Sequence, residues 1–143
     1  MILPIVAYGS PILRKECDDI DANYPELKKL IADMWETMYA SNGVGLAAPQ
    51  INKGIRLFVV DTEQIVENFD DEDKAKYPNE KPIKQAFINA HMVDQHGEPW
   101  AYNEGCLSIP KVREDIHRQP HIRIRYMDEQ FKEHEAEFTG ITA

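Results

Sequence analysis

Two short stretches hold the residue types that could do chemistry. "NEGCLSIP" (Asn103–Pro110) places Cys106 between Gly105 and Leu107. A cysteine becomes a nucleophile when a base generates its thiolate, and a metal ligand when two or three further donors join it. It is also a small hydrophobe, and burial is the commonest fate of a free thiol. On this stretch alone all three readings stay open. "GVGLAAPQ" (Gly43–Gln50) joins two glycines, which let a backbone approach closely, to the small Ala47 and Ala48. It ends on Gln50, whose carboxamide both donates and accepts. A tight structural turn and a ligand-facing loop fit it equally well. The spacing is not G-x-G-x-x-G and no strand precedes it, so a dinucleotide fingerprint is rejected. Cys17, in the charged "RKECDDI", reads as an ordinary free thiol.

These residues need elements to position them. Leu27, Leu30, Ile31, Met34, Trp35, Met38 and Tyr39 recur at helical spacing and form one apolar stripe. Pro25 suits the first helical position, and Asn42 and Gly43 suit a left-handed end. The period then changes. "IRLFVVD" (Ile55–Asp61) reads as a buried strand, and Ile83–Asp94 contains another. His121–Asp128 alternates cleanly, with Ile122, Ile124 and Tyr126 on one face. Gln130–Phe138 alternates less well, and "MDEQ" between these two reads as a hairpin turn. Residues 62–82 are polar and acidic and carry two prolines, the pattern of a surface insertion. A helix followed by strands and loops predicts an α+β fold.

A chain of 143 residues predicts one domain spanning 1–143. A formal charge of −9 argues against a general phosphate-backbone binder, and so against direct DNA binding. No apolar run is long enough to span a membrane. "MILPIVAYG" lacks the basic start and apolar stretch of a signal peptide, so a cytoplasmic protein is expected. Two cysteines make no disulfide framework.

Together, "GVGLAAPQ" and "EGCLS" resemble the first two signatures of peptide deformylases. The opening "ILPIVAYGSPILRK" is similar to theirs as well. Order and approximate spacing agree over nearly the whole chain. The resemblance implies a hydrolase that removes the formyl group from the N-terminal formyl-methionine of nascent proteins, near the ribosome. It implies the deformylase type of α+β fold, in which a helix is combined with antiparallel sheets. Cys106 would be a thiolate ligand to Fe²⁺, with Zn²⁺, Ni²⁺ or Co²⁺ as substitutes. A thiolate with two imidazoles leaves one position open for water. The Gln50 amide and the Leu107 backbone N–H would donate to the developing oxyanion. Backbone at Gly43, Val44 and Gly45 would pair with the extended substrate. Gly105 would allow close approach beside Cys106, and Arg113 would lie near the substrate.

Two departures from the family pattern stand out. An Asn-Pro pair is replaced by Asn89-Ala90, with a local backbone effect expected. The third family signature, H-E-x-x-H on a helix, does not occur in the chain. It would supply two histidine ligands and a proton-carrying glutamate. His134-Glu135 is followed by Phe138 at i+4 and lies in a strand-like stretch, so it is rejected. His91, His96, His117 and His121 read as surface or structural residues. "GITA" (Gly140–Ala143) is similar to the opening of the missing metal-binding helix. The expectation is a C-terminally incomplete domain, inactive alone, whose gene continues with that helix. Two alternatives are a metal-free pseudoenzyme that binds N-terminal peptides, and a cysteine-dependent amidase.

Overall fold

The computed structural model describes residues 1–7, 9–76, 81–106, 109–139 and 142, with side chains except at 73, 76 and 100–117. The apolar stripe forms helix α1 (Leu27–Ala40), which buries Leu27, Ile31, Met34 and Met38 along one face. The helix begins later than Pro25 suggests. Glu26 sits in the left-handed region at φ 55°, and its carbonyl accepts the Leu30 N–H at 2.9 Å. That left-handed residue interrupts the helical path, so Pro25 stays outside it. The other end forms a Schellman motif: Asn42, at φ 59°, donates to the Tyr39 carbonyl, and Gly43 donates to that of Met38.

Five strands build the main sheet: β1 (Gly45–Ala47), β2 (Leu57–Asp61), β3 (Lys84–His96), β6 (His121–Met127) and β7 (Glu133–Thr139). They lie in the order β1-β2-β3-β6-β7, with every neighbouring pair antiparallel. Strands β4 (Trp100–Cys106) and β5 (Ile109–Arg118) form a separate antiparallel pair.

The continuous apolar run of β2 reflects packing on both faces, one buried and one half-buried. Leu57 and Val59 join Ala86, Ile88 and the buried face of α1 in one core. Phe58 and Val60 point to the opposite face, where Phe87, Ile124 and Tyr126 form a second cluster. Phe87 lies 4.9 Å from Phe58 and 4.6 Å from Tyr126, centroid to centroid. On this side an apolar groove of about 350 Å³ is lined by Phe58, Val60, Ile83, Phe87, Ile124 and Phe138, among others.

Strand β3 is long because two bulges let it bend and continue, one between Ile88 and His91 and one between Met92 and Asp94. Asn89 sits in the first at φ 53°. Its carboxamide closes on both backbone groups of Ile20, accepting at 2.7 Å and donating at 2.6 Å. A proline after it would carry no N–H, so Asn89-Ala90 is a local matter of this bulge.

The turn between β6 and β7 is wider than "MDEQ" suggests and spans Asp128–Lys132. Asp128 organises it: Oδ1 accepts the N–H groups of Gln130 and Lys132, and Oδ2 contacts His134 Nε2 at 2.7 Å. In the 62–82 region, α2 (Glu63–Glu67) and α3 (Asp71–Lys76) are short helices. Its ends meet where Thr62 and Ile83 exchange backbone N–H donation to the Ile83 carbonyl and the Thr62 hydroxyl.

Candidate active site

The first candidate stretch splits its eight residues between four tasks. Gly43 closes α1, and its carbonyl accepts Gln64 Nε2 at 3.3 Å. The Val44 carbonyl accepts the Asp61 N–H at 2.8 Å. In an antiparallel ladder alternate residues turn toward the partner. Val44 is bonded to Asp61, so Leu46 faces Val59 across the ladder, and Gly45 and Ala47 turn their backbone groups to the outer side of β1. Among the described residues β1 is an edge strand of the sheet. A Cβ on Gly45 would lie 3.4 Å from the Val59 carbonyl oxygen, so the strand is also closely packed there.

A four-residue 3-10 turn, Ala48–Ile51, then brings Gln50 back over the strand. Gln50 Oε1 accepts the Ala47 N–H at 3.0 Å. This is the reach-back of a capping box from the third residue to the one before the turn. The A-x-x-Q spacing carries that signal in the sequence. A backbone N–H can only donate, so this contact fixes which end of the carboxamide is oxygen. The Nε2 donor is therefore the end directed away from Ala47. The backbone is pinned too, because the Gln50 carbonyl accepts the Val6 N–H at 2.8 Å. The N-terminal segment is held in turn on α1. Leu3 N–H donates to Thr37 Oγ1 at 2.8 Å, and the Met1 amine contacts the carboxylates of Asp33 and Glu36.

A buried carboxylate steadies the other side of the loop. Asp61 is 5 % exposed. Its Oδ2 accepts the Tyr39 hydroxyl at 2.6 Å and its Oδ1 accepts the Glu63 N–H at 3.0 Å. Desolvation and then this hydrogen bond push the Tyr39 phenol up to about 12. Val6, Asp61 and Gln64 reach the candidate loop from distant segments, and Tyr39 acts on it through Asp61, so the motif itself signals none of these supports.

The second candidate stretch lies on the β4–β5 pair. The register runs regularly as far as Gly105 opposite Arg113, then jumps to Cys106 opposite Ile109. Three residues of β5, including Pro110, are passed over. A proline has no ladder donor to lose at such an irregularity, and bulges there re-aim side chains. The Cys106 and Arg113 side chains and all of Leu107 lie outside the described residues.

The family model for polypeptide deformylase matches residues 2–143. The chain belongs to this family, one of hydrolases. It is 46 % identical to the peptide deformylase of Christiangramia forsetii, covering the whole chain and 72 % of that relative's length. It is 50 % identical to that of Flavobacterium psychrophilum, again over the whole chain and 73 % of the relative. The deformylase fold, an antiparallel sheet with few helices, is confirmed by solved structures. The peptide deformylase of Thermotoga maritima superposes with a TM-score of 0.80 at 31 % identity, covering 100 % of this chain and 85 % of that one. The one from Synechococcus elongatus, in complex with actinonin, gives 0.83 at 29 %, covering 99 % and 70 %. Within this deformylase chain, His134 lies on β7, where residues four apart do not share a helix face, and it contacts Asp128. Among the described residues no helix is long and apolar enough to cross a membrane.

Proposed function

We propose that this protein is a peptide deformylase, hydrolysing the formyl group from the N-terminal formyl-methionine of nascent polypeptides in the cytoplasm, near the ribosome. The observation that supports it most is the oriented Gln50 carboxamide beside an open strand edge. An extended peptide adds to such an edge through backbone hydrogen bonds, and Gly45 is the residue whose N–H and C=O face it. Gly43 and Val44 have carbonyls engaged within the protein, so their part is to hold the edge in place. The formyl carbonyl then lies near Gln50, and Nε2 donates to its oxygen as negative charge develops there. The Leu107 N–H is the second donor. Because Gln50 is braced by Ala47 and Val6, little reorganisation accompanies the reaction.

Cys106 suits a soft divalent ion, and a thiolate donor fits Fe²⁺ as well as Zn²⁺, Ni²⁺ or Co²⁺. When bound, such an ion would supply Lewis-acid chemistry, lowering the pKa of a water toward neutrality. Gly105 stands opposite Arg113 in the ladder, and in this reading Gly105 leaves room beside the thiolate donor while Arg113 serves the substrate. No H-E-x-x-H occurs in residues 1–143. The two imidazole ligands and the proton-carrying glutamate have no counterpart here, so these residues alone are expected to release no formate.

The test is formate release from a formyl-methionyl peptide by the intact gene product. Activity that disappears on chelation, and a Cys106→Ser variant that loses both metal and rate, support the reading. Binding of the peptide without formate release would replace it with a peptide-binding protein. Full rate after chelation, abolished by thiol alkylation, would replace it with a cysteine amidase.

A further inference from the structure

At the far end of the main sheet from β1, three consecutive strands place metal-ligating side chains together. His96 of β3 is opposite His121 of β6, and His121 is opposite Thr139 of β7. Glu137, two residues before Thr139, shares its face and is the diagonal neighbour of His121. One ligand atom from each of His96, His121 and Glu137 falls within 4.8 Å of the others. The two imidazoles are parallel within 7°, with centroids 4.9 Å apart.

We propose that His96, His121 and Glu137 form a surface site for a divalent transition-metal ion such as Zn²⁺. Three details carry this beyond proximity. His96 Nδ1 lies 3.1 Å from Asp94 Oδ2. A carboxylate can only accept, so in the neutral imidazole Nδ1 carries the proton and Nε2 offers the lone pair. This carboxylate–histidine arrangement is the one that orients metal-bound imidazoles. Glu137 divides its oxygens: Oε2 contacts Arg123 at 3.4 Å, while Oε1 lies 3.9 Å from His121 Nδ1. Arg123 thereby fixes the carboxylate without covering the oxygen that faces the imidazole. Finally, donors around a tetrahedral ion with bonds of about 2.1 Å stand about 3.4 Å apart. The side chains are 42–54 % exposed, so rotation about their own bonds can close the remaining distance without disturbing the core. Two imidazoles and one carboxylate suit zinc, nickel, copper or iron, and water completes the coordination. The ion would tie the ends of three strands together.

Zn²⁺ titration of the chain carrying Cys106→Ser, followed by nitrogen–proton correlation spectra of the imidazoles, tests the site. His91, His117 and His134 are internal references. The expected result is that His96 and His121 shift together and saturate at one equivalent, and that the thermal midpoint rises. His121→Ala and Glu137→Gln should each weaken binding by at least about tenfold, and Asp94→Asn by about tenfold. His134→Ala should leave it unchanged. His96→Ala, on a different strand, repeats the test should His121→Ala perturb the fold by circular dichroism. No saturable binding, equal shifts at all five histidines, or an affinity indifferent to His96→Ala and His121→Ala would each overturn the proposal.

Discussion

Gln50 separates a structural role from a chemical one, because two substitutions remove different halves of its carboxamide. Gln50→Ala removes the acceptor for the Ala47 N–H and the donor aimed away from it. One part-buried neutral hydrogen bond contributes about 1 kcal/mol, which in a chain of this size is about 3 °C of melting temperature. Gln50→Glu keeps an oxygen where Oε1 sits. A carboxylate accepts the Ala47 N–H at least as strongly, so stability at neutral pH should change by under about 0.5 kcal/mol. It presents no N–H at the other end. Both variants should therefore lose kcat for deformylation by about 10²–10³, the usual loss for one oxyanion donor, with KM altered much less. The assay is formate release by the intact protein at matched metal content, with thermal melts alongside. A Gln50→Glu enzyme with wild-type kcat would remove Gln50 from the oxyanion site. A Gln50→Glu protein destabilised as much as Gln50→Ala would show that the Ala47 contact does not orient the side chain.

Phe87, 2 % exposed and packed on Phe58, Tyr126 and Phe138, should cost about 3 kcal/mol on mutation to Ala. That is the low end for an aromatic, because its cluster borders the apolar groove; urea unfolding measures it. Asn42→Val should destabilise by about 1–2 kcal/mol through the left-handed φ of 59°, whereas Asn42→Gly should be tolerated; equal melts for the two would refute the capping role. Among six tyrosines, Tyr39 should deprotonate near pH 12 in an ultraviolet absorbance titration, and Tyr39→Phe should remove that step. Since its folded value is raised, its contribution to stability is complete below pH 10 and disappears as pH rises from 10 through about 12.

Much of the fold was legible because local pattern and tertiary burial agree. The stripe from Leu27 to Tyr39 becomes α1, and "LFVV" becomes a strand with one face buried and the other half-buried. The alternation of Ile122, Ile124 and Tyr126 marks the apolar face of β6. Departures occur where one residue's conformation overrides the pattern. Glu26 in the left-handed region delays the helix past Pro25, and Asp128 widens the β6–β7 turn by accepting two backbone N–H groups. Neither is signalled by spacing. That His96 and His121 meet was not legible for a related reason. Which side chains meet across β3 and β6 depends on two bulges that shift the register, and a linear sequence does not display register.

"GVGLAAPQ" was readable as a unit because nearly every position answers to a separate physical demand. Gly43 supplies the donor that ends α1, and Val44 gives its carbonyl to Asp61. Gly45 turns to the edge, where a Cβ would come to 3.4 Å from the Val59 carbonyl oxygen. Leu46 and Ala48 are buried at 2 % and 0 % exposure, which requires one to be apolar and the other small. Ala47 gives its N–H to Gln50, and Pro49 sits in the short turn that makes this reach possible. What the eight residues do not encode is the rest of the brace. Val6 holds Gln50 from one side, while Tyr39, Asp61 and Gln64 hold the preceding loop from the other. If oxyanion stabilisation depends on donors that do not move, those partners belong to the function as much as the motif does. Substituting Tyr39, Asp61 or Gln64, or placing proline at Val6, should then slow the reaction without touching substrate.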